Sequence, residues 1–276
     1  MIRSRVWALA LAGAVLVGGL AQAETPLERG TYLMKSIVAC GDCHTPRGAG
    51  GRGPELSGGF RFNDDDFTAY SQNITPDPET GIGNWTDAQI RTAIREGKRP
   101  DGSIIGPPMP VGMYHGLSDD DVNALIAYLH TVKPVKNAVP KSKYSMLLPT
   151  SYGAPLTTVS AVPDADPIKY GAYLAGPLAH CMECHTPLGP KGPDFAHSLG
   201  AGGNVFKGPW GVVASADITP TGLGKYTDAQ VKAMIAQGVR PDGTLIRGPM
   251  PVAVFSTMAD KDMTAIVAYL RSLPPK

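Results

Sequence analysis

All four cysteines of this 276-residue chain stand in two copies of one short motif. The copies read Cys40-Gly-Asp-Cys43-His44 and Cys181-Met-Glu-Cys184-His185. The spacing C-x-x-C-H suits haem attachment, because two thiols can add to the two vinyl groups of one porphyrin while the adjacent imidazole binds the iron. The motifs therefore predict two covalently bound haem c groups.

Two other kinds of site use paired cysteines. A structural zinc site needs four ligands gathered in one place, whereas each motif offers three. A redox-active C-x-x-C pair does not require a histidine directly after the second cysteine, and here the histidine occurs twice. Haem attachment is the interpretation that explains every residue of both motifs.

The second axial ligand of each iron separates an electron carrier from a haem enzyme. Of the ten methionines, only Met109 and Met250 occupy equivalent positions in the two copies, 141 residues apart, and each is followed by Pro-Val. A methionine can also fill a gap in a loop. We interpret the repeated pair as thioether ligands, so that His44 and Met109 bind the first iron and His185 and Met250 bind the second.

The other methionines and histidines do not recur in this way. Four of these methionines are aligned with residues other than methionine in the other copy of the repeat, which indicates core packing: Met34, Met113, Met258 and Met263. The histidines outside the motifs have no histidine counterparts either, so two bis-histidine sites are not expected. One bis-histidine or open site remains an alternative, and it would favour an enzyme.

The separation of 141 residues that joins the two motifs also joins Gly30 to Gly171 and Tyr32 to Tyr173. The chain is therefore an internal duplication, and each copy predicts three helices with long loops. The first helix of each copy is expected to run directly into its haem motif. The middle helices begin at Thr86 and Thr227 and end at Gly97 and Gly238; the final helices cover about 118–132 and 260–273.

A second polar motif recurs as Arg99-Pro-Asp-Gly and Arg240-Pro-Asp-Gly. Proline followed by Asp-Gly is typical of a turn. The alternative is that Arg99 and Arg240 reach a haem propionate.

The chain divides into four segments. Residues 1–23 carry Arg3 and Arg5, an apolar run and Ala21-Gln-Ala23, which predicts a secretory signal cleaved after Ala23. Residues 24–133 and 166–276 form the two repeated domains. Residues 134–165 are a proline-rich, extended linker whose cluster of Tyr144, Met146, Leu147 and Leu148 is expected to pack partly on a domain surface.

Composition limits the kind of partner. The chain has 25 basic and 24 acidic side chains, so nothing indicates nucleic-acid binding. Its 33 glycines and 26 prolines indicate a loop-rich protein, in which a large apolar haem would help to form each core. No hydrophobic tail follows the second domain, and no transmembrane anchor is expected in the mature chain.

Each half resembles a class I cytochrome c domain. The resemblance rests on the Gly-x-Tyr helix (Gly30, Tyr32), the C-x-x-C-H site, the Met-Pro loop and a closing Ala-Tyr-Leu helix (127–129), all of which recur in the second half. The order of motifs is similar to that of the cytochrome c subunits of bacterial quinohaem alcohol dehydrogenases and related molybdenum hydroxylase complexes. It implies an all-α fold with two tandem domains packed around covalent haems.

Those alcohol dehydrogenase subunits have three haem domains, whereas this sequence has two motifs, which favours a smaller redox subunit or a soluble shuttle. The resemblance implies a periplasmic protein without catalytic residues that passes single electrons from a periplasmic or membrane-associated dehydrogenase to a cytochrome or terminal oxidase. The alternative is a dihaem enzyme, such as a cytochrome c peroxidase, with one open iron. A chain that stays permanently bound to one dehydrogenase would be compatible with the electron-transfer function.

Overall fold

A computed structural model describes residues 24–48, 51–189 and 192–276. The secretory signal predicted for residues 1–23 lies outside these ranges. Within them, no helix has both the length and the apolar character needed to cross a membrane.

The two copies fold alike, each with a long N-terminal helix, a haem-motif helix, a middle helix, a short helix and a closing helix. In the first copy these are α1 (Pro26–Ser36), α2 (Cys40–His44), α3 (Asp87–Glu96), α4 (Val111–Tyr114) and α5 (Asp119–Thr131). In the second copy they are α6 (Pro167–Tyr173), α7 (Cys181–Cys184), α8 (Pro220–Leu223), α9 (Asp228–Gln237), α10 (Val252–Phe255) and α11 (Asp260–Ser272). Helix α8 is an additional turn of the second copy.

Helix boundaries follow the capping signals of the sequence. Thr25, Thr86 and Thr227 each accept a hydrogen bond from the backbone three residues ahead, and the Glu or Gln at that position bonds back to complete a capping box. Gly97 and Gly238 end α3 and α9 in the left-handed conformation, at φ of 64° and 67°. The predicted middle and final helices are confirmed to within a residue or two.

The first helices do not run directly into the haem motifs, and that expectation is wrong. Helix α1 ends at Ser36, and residues 37–39 separate it from α2. In the second copy α6 passes into a π-helical turn, Leu174–Leu178, before α7 begins. Ala39 and His180, which stand directly before Cys40 and Cys181, adopt left-handed φ angles of 58° and 43° that redirect the chain.

The fold is mainly helical, but the expectation of an all-α architecture needs correction. Four small antiparallel sheets occur in the described residues. Their strands are β1 (Arg47–Gly48) with β2 (Gly51–Arg52), β3 (Arg61–Asn63) with β4 (Phe67–Tyr70) and β5 (Lys143–Tyr144), β6 (Leu188–Gly189) with β7 (Gly192–Pro193), and β8 (Val205–Gly208) with β9 (Gly211–Ala214).

Strand β5 belongs to the linker and pairs with β4, so the linker is anchored to the first domain. Tyr144 donates a hydrogen bond to the carbonyl of Pro107 at 2.9 Å, and Tyr152 donates to Ile105 at 2.7 Å. The predicted packing of the apolar cluster is therefore correct for Tyr144. Leu147 of the same cluster does not pack and is 97% exposed.

The first and last helices of each domain cross in close contact. A Cβ atom on Gly30 would lie 1.9 Å from the carbonyl oxygen of Ala124, and one on Gly171 would lie 1.9 Å from that of Ala265. Only glycine allows the two backbones to approach this closely. The crossing places α1 on α5 and α6 on α11, and it builds the core against which each haem motif lies.

Candidate functional site

The histidine of each motif is held through one ring nitrogen. Nδ1 of His44 lies 2.7 Å from the carbonyl oxygen of Gln72, and Nδ1 of His185 lies 2.7 Å from that of Ala216. A carbonyl oxygen can only accept, so Nδ1 must carry the proton and donate it. This leaves the Nε2 lone pair of both rings available for iron, in the arrangement typical of metal-bound histidine.

Gln72 and Ala216 are equivalent residues, because each stands two positions before an Ile-Thr-Pro sequence. The loops that carry them return to the motif through Gly58 and Gly202, whose amides donate to the carbonyls of His44 and His185 at 2.7 and 2.8 Å. Both glycines have positive φ. The same loop geometry therefore orients both histidines.

Glycine is required at these two positions for space as well as for conformation. A Cβ atom on Gly58 would lie 2.5 Å from the carbonyl carbon of Gln72, and one on Gly202 would lie 2.4 Å from that of Ala216. Real Cβ atoms do not approach backbone so closely, so any larger residue would displace the carbonyl that holds the histidine. The glycines thus belong to the site, although the sequence offered only their type as a signal.

In the second domain, three of the predicted site residues line one apolar cavity: Cys181, His185 and Met250. The remaining lining is apolar: Ala179, Ile218, Ile235, Phe255, Met258, Ile266 and Leu270. Cys184 is on the same helix but is not part of this lining. Met258, which the repeat assigned to core packing, contributes to the cavity wall.

In the first domain, Cys40 and Met109 are partly buried and pack against the core, as Cys181 and Met250 do in the second. The turn that presents the methionine is the same in both copies. The amide of Val111 donates to the carbonyl of Met109 at 2.8 Å, and the amide of Val252 donates to that of Met250 at 2.9 Å. The local backbone geometry thus supports treating the two methionines as a pair.

Burial sets the protonation state of the histidines and cysteines. It lowers the pKa of His44 and of His185, so that the neutral imidazole, which is the form that binds iron, predominates at neutral pH. It also raises the pKa of the Cys40 and Cys181 thiols to about 12, so free thiolates are disfavoured there. Reactive thiolates of the kind found in dithiol redox sites have lowered pKa values instead.

The residues present fit a covalent haem. The second-domain cavity combines an attachment cysteine, a histidine with a free Nε2 and a thioether with apolar walls suited to a macrocycle. A zinc site is not supported. Across residues 24–48, 51–189 and 192–276, no three His, Cys, Asp or Glu side chains are grouped so that they could hold one metal ion.

The repeated Arg-Pro-Asp-Gly motif forms a turn. Arg99 Nη1 donates to the carbonyl of Ile104 at 3.1 Å, and Arg240 Nη1 donates to that of Leu245 at 3.1 Å. The aspartate of each turn accepts from the Ser or Thr two residues later. The arginines are thus engaged in closing their own turns, as the turn interpretation predicts.

Comparison with known proteins agrees with this geometry. The sequence profile of the cytochrome c family matches the chain twice, over residues 27–133 and 169–274. The chain is 33% identical over 270 residues to the cytochrome c subunit of the quinone alcohol dehydrogenase of Gluconobacter oxydans, covering 91% of this chain and 55% of that subunit.

Two further relatives differ in length. The fructose dehydrogenase cytochrome subunit of Gluconobacter japonicus is 34% identical over 276 residues, and the match covers 93% of this chain and 54% of that subunit. A dihaem c-type cytochrome of Cereibacter sphaeroides is 33% identical over 251 residues, covering 85% and 82% of the two chains. The chain therefore spans little more than half the length of the two dehydrogenase subunits.

Proposed function

This chain belongs to the cytochrome c family and carries two covalently bound haem c groups, and we propose that it passes single electrons from a dehydrogenase to a downstream cytochrome or oxidase. Each haem supplies an iron that alternates between the ferric and ferrous states. The protein holds each group through two cysteines: Cys40 and Cys43 in the first domain, Cys181 and Cys184 in the second. His44 with Met109, and His185 with Met250, would bind the two irons.

One observation carries this proposal: His185 and Met250 line the same apolar cavity. A histidine and a thioether at the same group would occupy both remaining ligand positions of its iron and would leave none for a substrate. The matching turn at Met109 extends the argument to the first domain. Filled coordination favours electron transfer over catalysis, so no catalytic residue is assigned.

The class of electron donor is proposed from the names of similar proteins. Proteins similar to this chain are named as cytochrome subunits of alcohol, fructose and gluconate dehydrogenases. We propose that this chain likewise accepts electrons from a dehydrogenase, either as a bound subunit or as a separate carrier. The acceptor would be another cytochrome or a terminal oxidase.

The proposed location is the periplasm. It is supported by the basic residues, apolar run and Ala-Gln-Ala23 site of the N-terminal sequence. Covalent attachment of haem c takes place outside the cytoplasm, which fits export before maturation. N-terminal sequencing of the exported protein should give Glu24 as the first residue.

Ligand binding by the oxidised holoprotein tests the electron-carrier function. We expect no rapid cyanide binding and no hydrogen peroxide turnover in the wild type, because both irons already have two axial ligands. Met250→Ala should gain cyanide binding at one of the two haems. Rapid cyanide binding together with peroxide reduction by the wild type would contradict the proposal and favour a dihaem peroxidase.

A second experiment tests whether the chain is a bound subunit of a dehydrogenase. Purification of the tagged chain from its native host should bring down a larger dehydrogenase chain if it is a bound subunit. In either case the reduced dehydrogenase should reduce both haems in solution. A dehydrogenase that reduces neither haem would exclude it as the donor.

A further inference from the structure

Two hydrogen bonds of the same kind join the two domains. The hydroxyl of Tyr32 in the first domain donates to Asp262 Oδ2 in the second at 2.6 Å. The hydroxyl of Tyr173 in the second domain donates to Asp121 Oδ2 in the first, also at 2.6 Å. Tyr32 and Tyr173 are equivalent in the repeat, and so are Asp121 and Asp262. Each domain thus offers the other the same donor and the same acceptor.

The tyrosine hydroxyls are fixed by a second bond each. The amide of Ala259 donates to Tyr32 Oη at 3.0 Å, and the amide of Ser118 donates to Tyr173 Oη at 3.1 Å. Both amides stand at the start of the closing helix of the opposite domain, where backbone donors lack helical partners. Each hydroxyl therefore donates to a carboxylate and accepts from a backbone amide of the opposite domain. Tyr173 Oη also lies 3.1 Å from Ser118 Oγ, which gives it a third partner there.

Both carboxylates and Tyr173 are buried, whereas Tyr32 is partly exposed. Asp121 and Asp262 are 5% and 4% exposed, and Tyr173 is 6% exposed. A hydrogen bond from a hydroxyl to a carboxylate oxygen is electrostatically stronger in such a place than at the surface. The contact is isologous, like the interface of a twofold dimer, so the two bonds together favour one relative orientation of the domains. A further bond between Ser36 Oγ and Thr257 Oγ1, 2.9 Å apart, crosses the same interface.

The bonded residues lie on helices that flank the haem motifs in the chain. Tyr32 lies on α1, which leads toward Cys40, and Tyr173 ends α6, which leads through the π-helical turn toward Cys181. Asp121 and Asp262 lie in the first turns of α5 and α11. Each bond therefore ties the helix that enters one haem site to the helix that closes the core of the other.

The same interface brings the two haem sites next to each other. The rings of Tyr114 and His180 meet edge to face with centroids 5.9 Å apart. His180 directly precedes Cys181, and Tyr114 donates to the carbonyl of Val38, two residues before Cys40, at 3.2 Å. Phe255, the counterpart of Tyr114, lines the second-domain cavity. An aromatic pair thus connects the surroundings of one haem to those of the other.

We propose that Tyr32 and Tyr173 are positioning residues that set the separation and orientation of the two haem sites, so that electrons can exchange directly between the domains. This rests on the proposed function for its biological meaning. The placement of the domains can nevertheless be measured without any partner protein. Neither tyrosine is a ligand in this assignment; each acts through the opposite domain.

The experiment compares the oxidised, full-length holoprotein with the double variant Tyr32→Phe/Tyr173→Phe. Pulsed dipolar EPR measures the distance between the two ferric irons, and pulse radiolysis measures electron exchange between the haems after partial reduction. We expect one narrow distance distribution and a fast exchange phase in the wild type. The double variant should show a broadened distribution and lose the fast phase, while the spectrum of each haem stays unchanged.

Tyr128→Phe is the matched control. Tyr128 donates to Glu55 Oε1 at 2.7 Å, so its variant removes the same kind of bond within the first domain only. The distance distribution should then equal that of the wild type. If the double variant fails to mature, the variants Asp262→Asn and Asp262→Leu test the same contact. Asp262→Asn keeps an acceptor oxygen for Tyr32 and should retain the wild-type distance distribution. Asp262→Leu removes the acceptor and should broaden the distribution.

A double variant with the wild-type distance distribution would overturn the proposal, and so would equal distributions for Asp262→Asn and Asp262→Leu. A wild type that shows the narrow distribution but no exchange between the haems would overturn the proposed electron transfer instead. In that case the distances would still decide the role of the tyrosines. The two failures are therefore distinguishable.

Discussion

The imidazole of His185 donates from Nδ1 to the carbonyl oxygen of Ala216 over 2.7 Å. The bond fixes the tautomer that leaves Nε2 free, and it increases the electron density of the ring. A more basic imidazole stabilises the ferric state of the iron that it binds. The reduction potential of the second haem should therefore depend on the position of a backbone carbonyl that no side-chain substitution removes directly.

Gly202→Ala tests this dependence. The added Cβ would lie 2.4 Å from the carbonyl carbon of Ala216 and must displace it, which weakens the bond to His185. We expect a higher potential for the second haem only, with altered EPR g values for the same haem. Redox titration followed by visible absorbance provides the measurement.

Gly203→Ala is the control for that variant. Gly203 has φ of +92°, so alanine there has the same kind of left-handed strain, but nothing lies within 4 Å of its Cβ position. Both variants should lose roughly 1–2 kcal/mol of stability from this strain. Equal potentials in the two variants would show that the carbonyl does not tune the haem.

If Met250 is an iron ligand, substitutions of Met250 and of Met258 in the same cavity should have different effects on the reduction potential. Met250→Ala removes the proposed thioether, and because Met/His ligation raises the potential of a haem, the potential of the second haem should fall. A high-spin signal should appear at the same time. Met258→Leu, which conserves volume in the wall of the same cavity, should cost less than about 1.5 kcal/mol and leave the potential near its wild-type value.

If Met258→Leu reproduces the spectral change and Met250→Ala does not, the ligand has been assigned to the wrong methionine. The repeat gives the same test in the first domain, where Met109→Ala should affect only the first haem. Each variant thus identifies its own haem in the redox titration.

Gly30→Ala should destabilise the first domain. The new methyl group would lie 1.9 Å from the carbonyl oxygen of Ala124 and force α1 away from α5. We expect a loss of about 3 kcal/mol in the free energy of unfolding, at the upper end for an overpacked contact. Thermal unfolding followed by circular dichroism would measure it.

The matched control is Gly112→Ala on α4. Nothing lies within 4 Å of its Cβ position, and the equivalent residue of the second domain is Ala253. This substitution should be neutral or stabilise the protein by at most about 1 kcal/mol, because alanine favours helix. A similar loss for both variants would argue against the close helix crossing.

His180 should make stability depend on pH. Burial lowers its pKa from 6.5 to about 4. Between these values the unfolded chain binds the extra proton, so the folded state loses stability as the pH falls from about 6.5 to about 4, by up to about 3 kcal/mol. The Glu183 carboxyl lies 4.0 Å from Nδ1 of His180, and burial raises the pKa of that carboxyl to about 7. Glu183 is therefore mostly protonated in this range and supplies little compensating charge.

Comparison of the wild type with His180→Gln isolates this contribution, because Glu183 is common to both. Denaturant unfolding at a series of pH values should show the wild type losing stability relative to the variant over that interval. Parallel pH profiles would show that His180 does not titrate as described.

Local patterns explain what the sequence could predict. The attachment motifs, the capping boxes at Thr86 and Thr227, and the pairing of Met109 with Met250 depend on short spacings or on the repeat. The small sheets, including β5 in the linker, depend on pairings between distant segments that have no periodic signal. The direct passage from the first helix to the haem motif failed because Ala39 and His180 take a left-handed conformation that their residue types do not favour.

The domain interface could not be predicted for the same reason. Tyr32 and Asp262 are separated by 230 positions, and each alone is an ordinary helical residue. The repeat identified Tyr32 and Tyr173 as equivalent, but it could not show that each would bond to the other domain. The sequence did not predict that Met258 lines the cavity, because its counterpart in the first copy is a leucine, which suggested core packing alone.

The central claim is that both irons have a histidine and a methionine as axial ligands. Low-temperature EPR of the purified, oxidised holoprotein, recorded with its optical spectrum, tests this most directly. We expect two low-spin haems and the weak red absorption band of methionine bound to ferric iron. A high-spin haem, or a bis-histidine signal at either site, would contradict it.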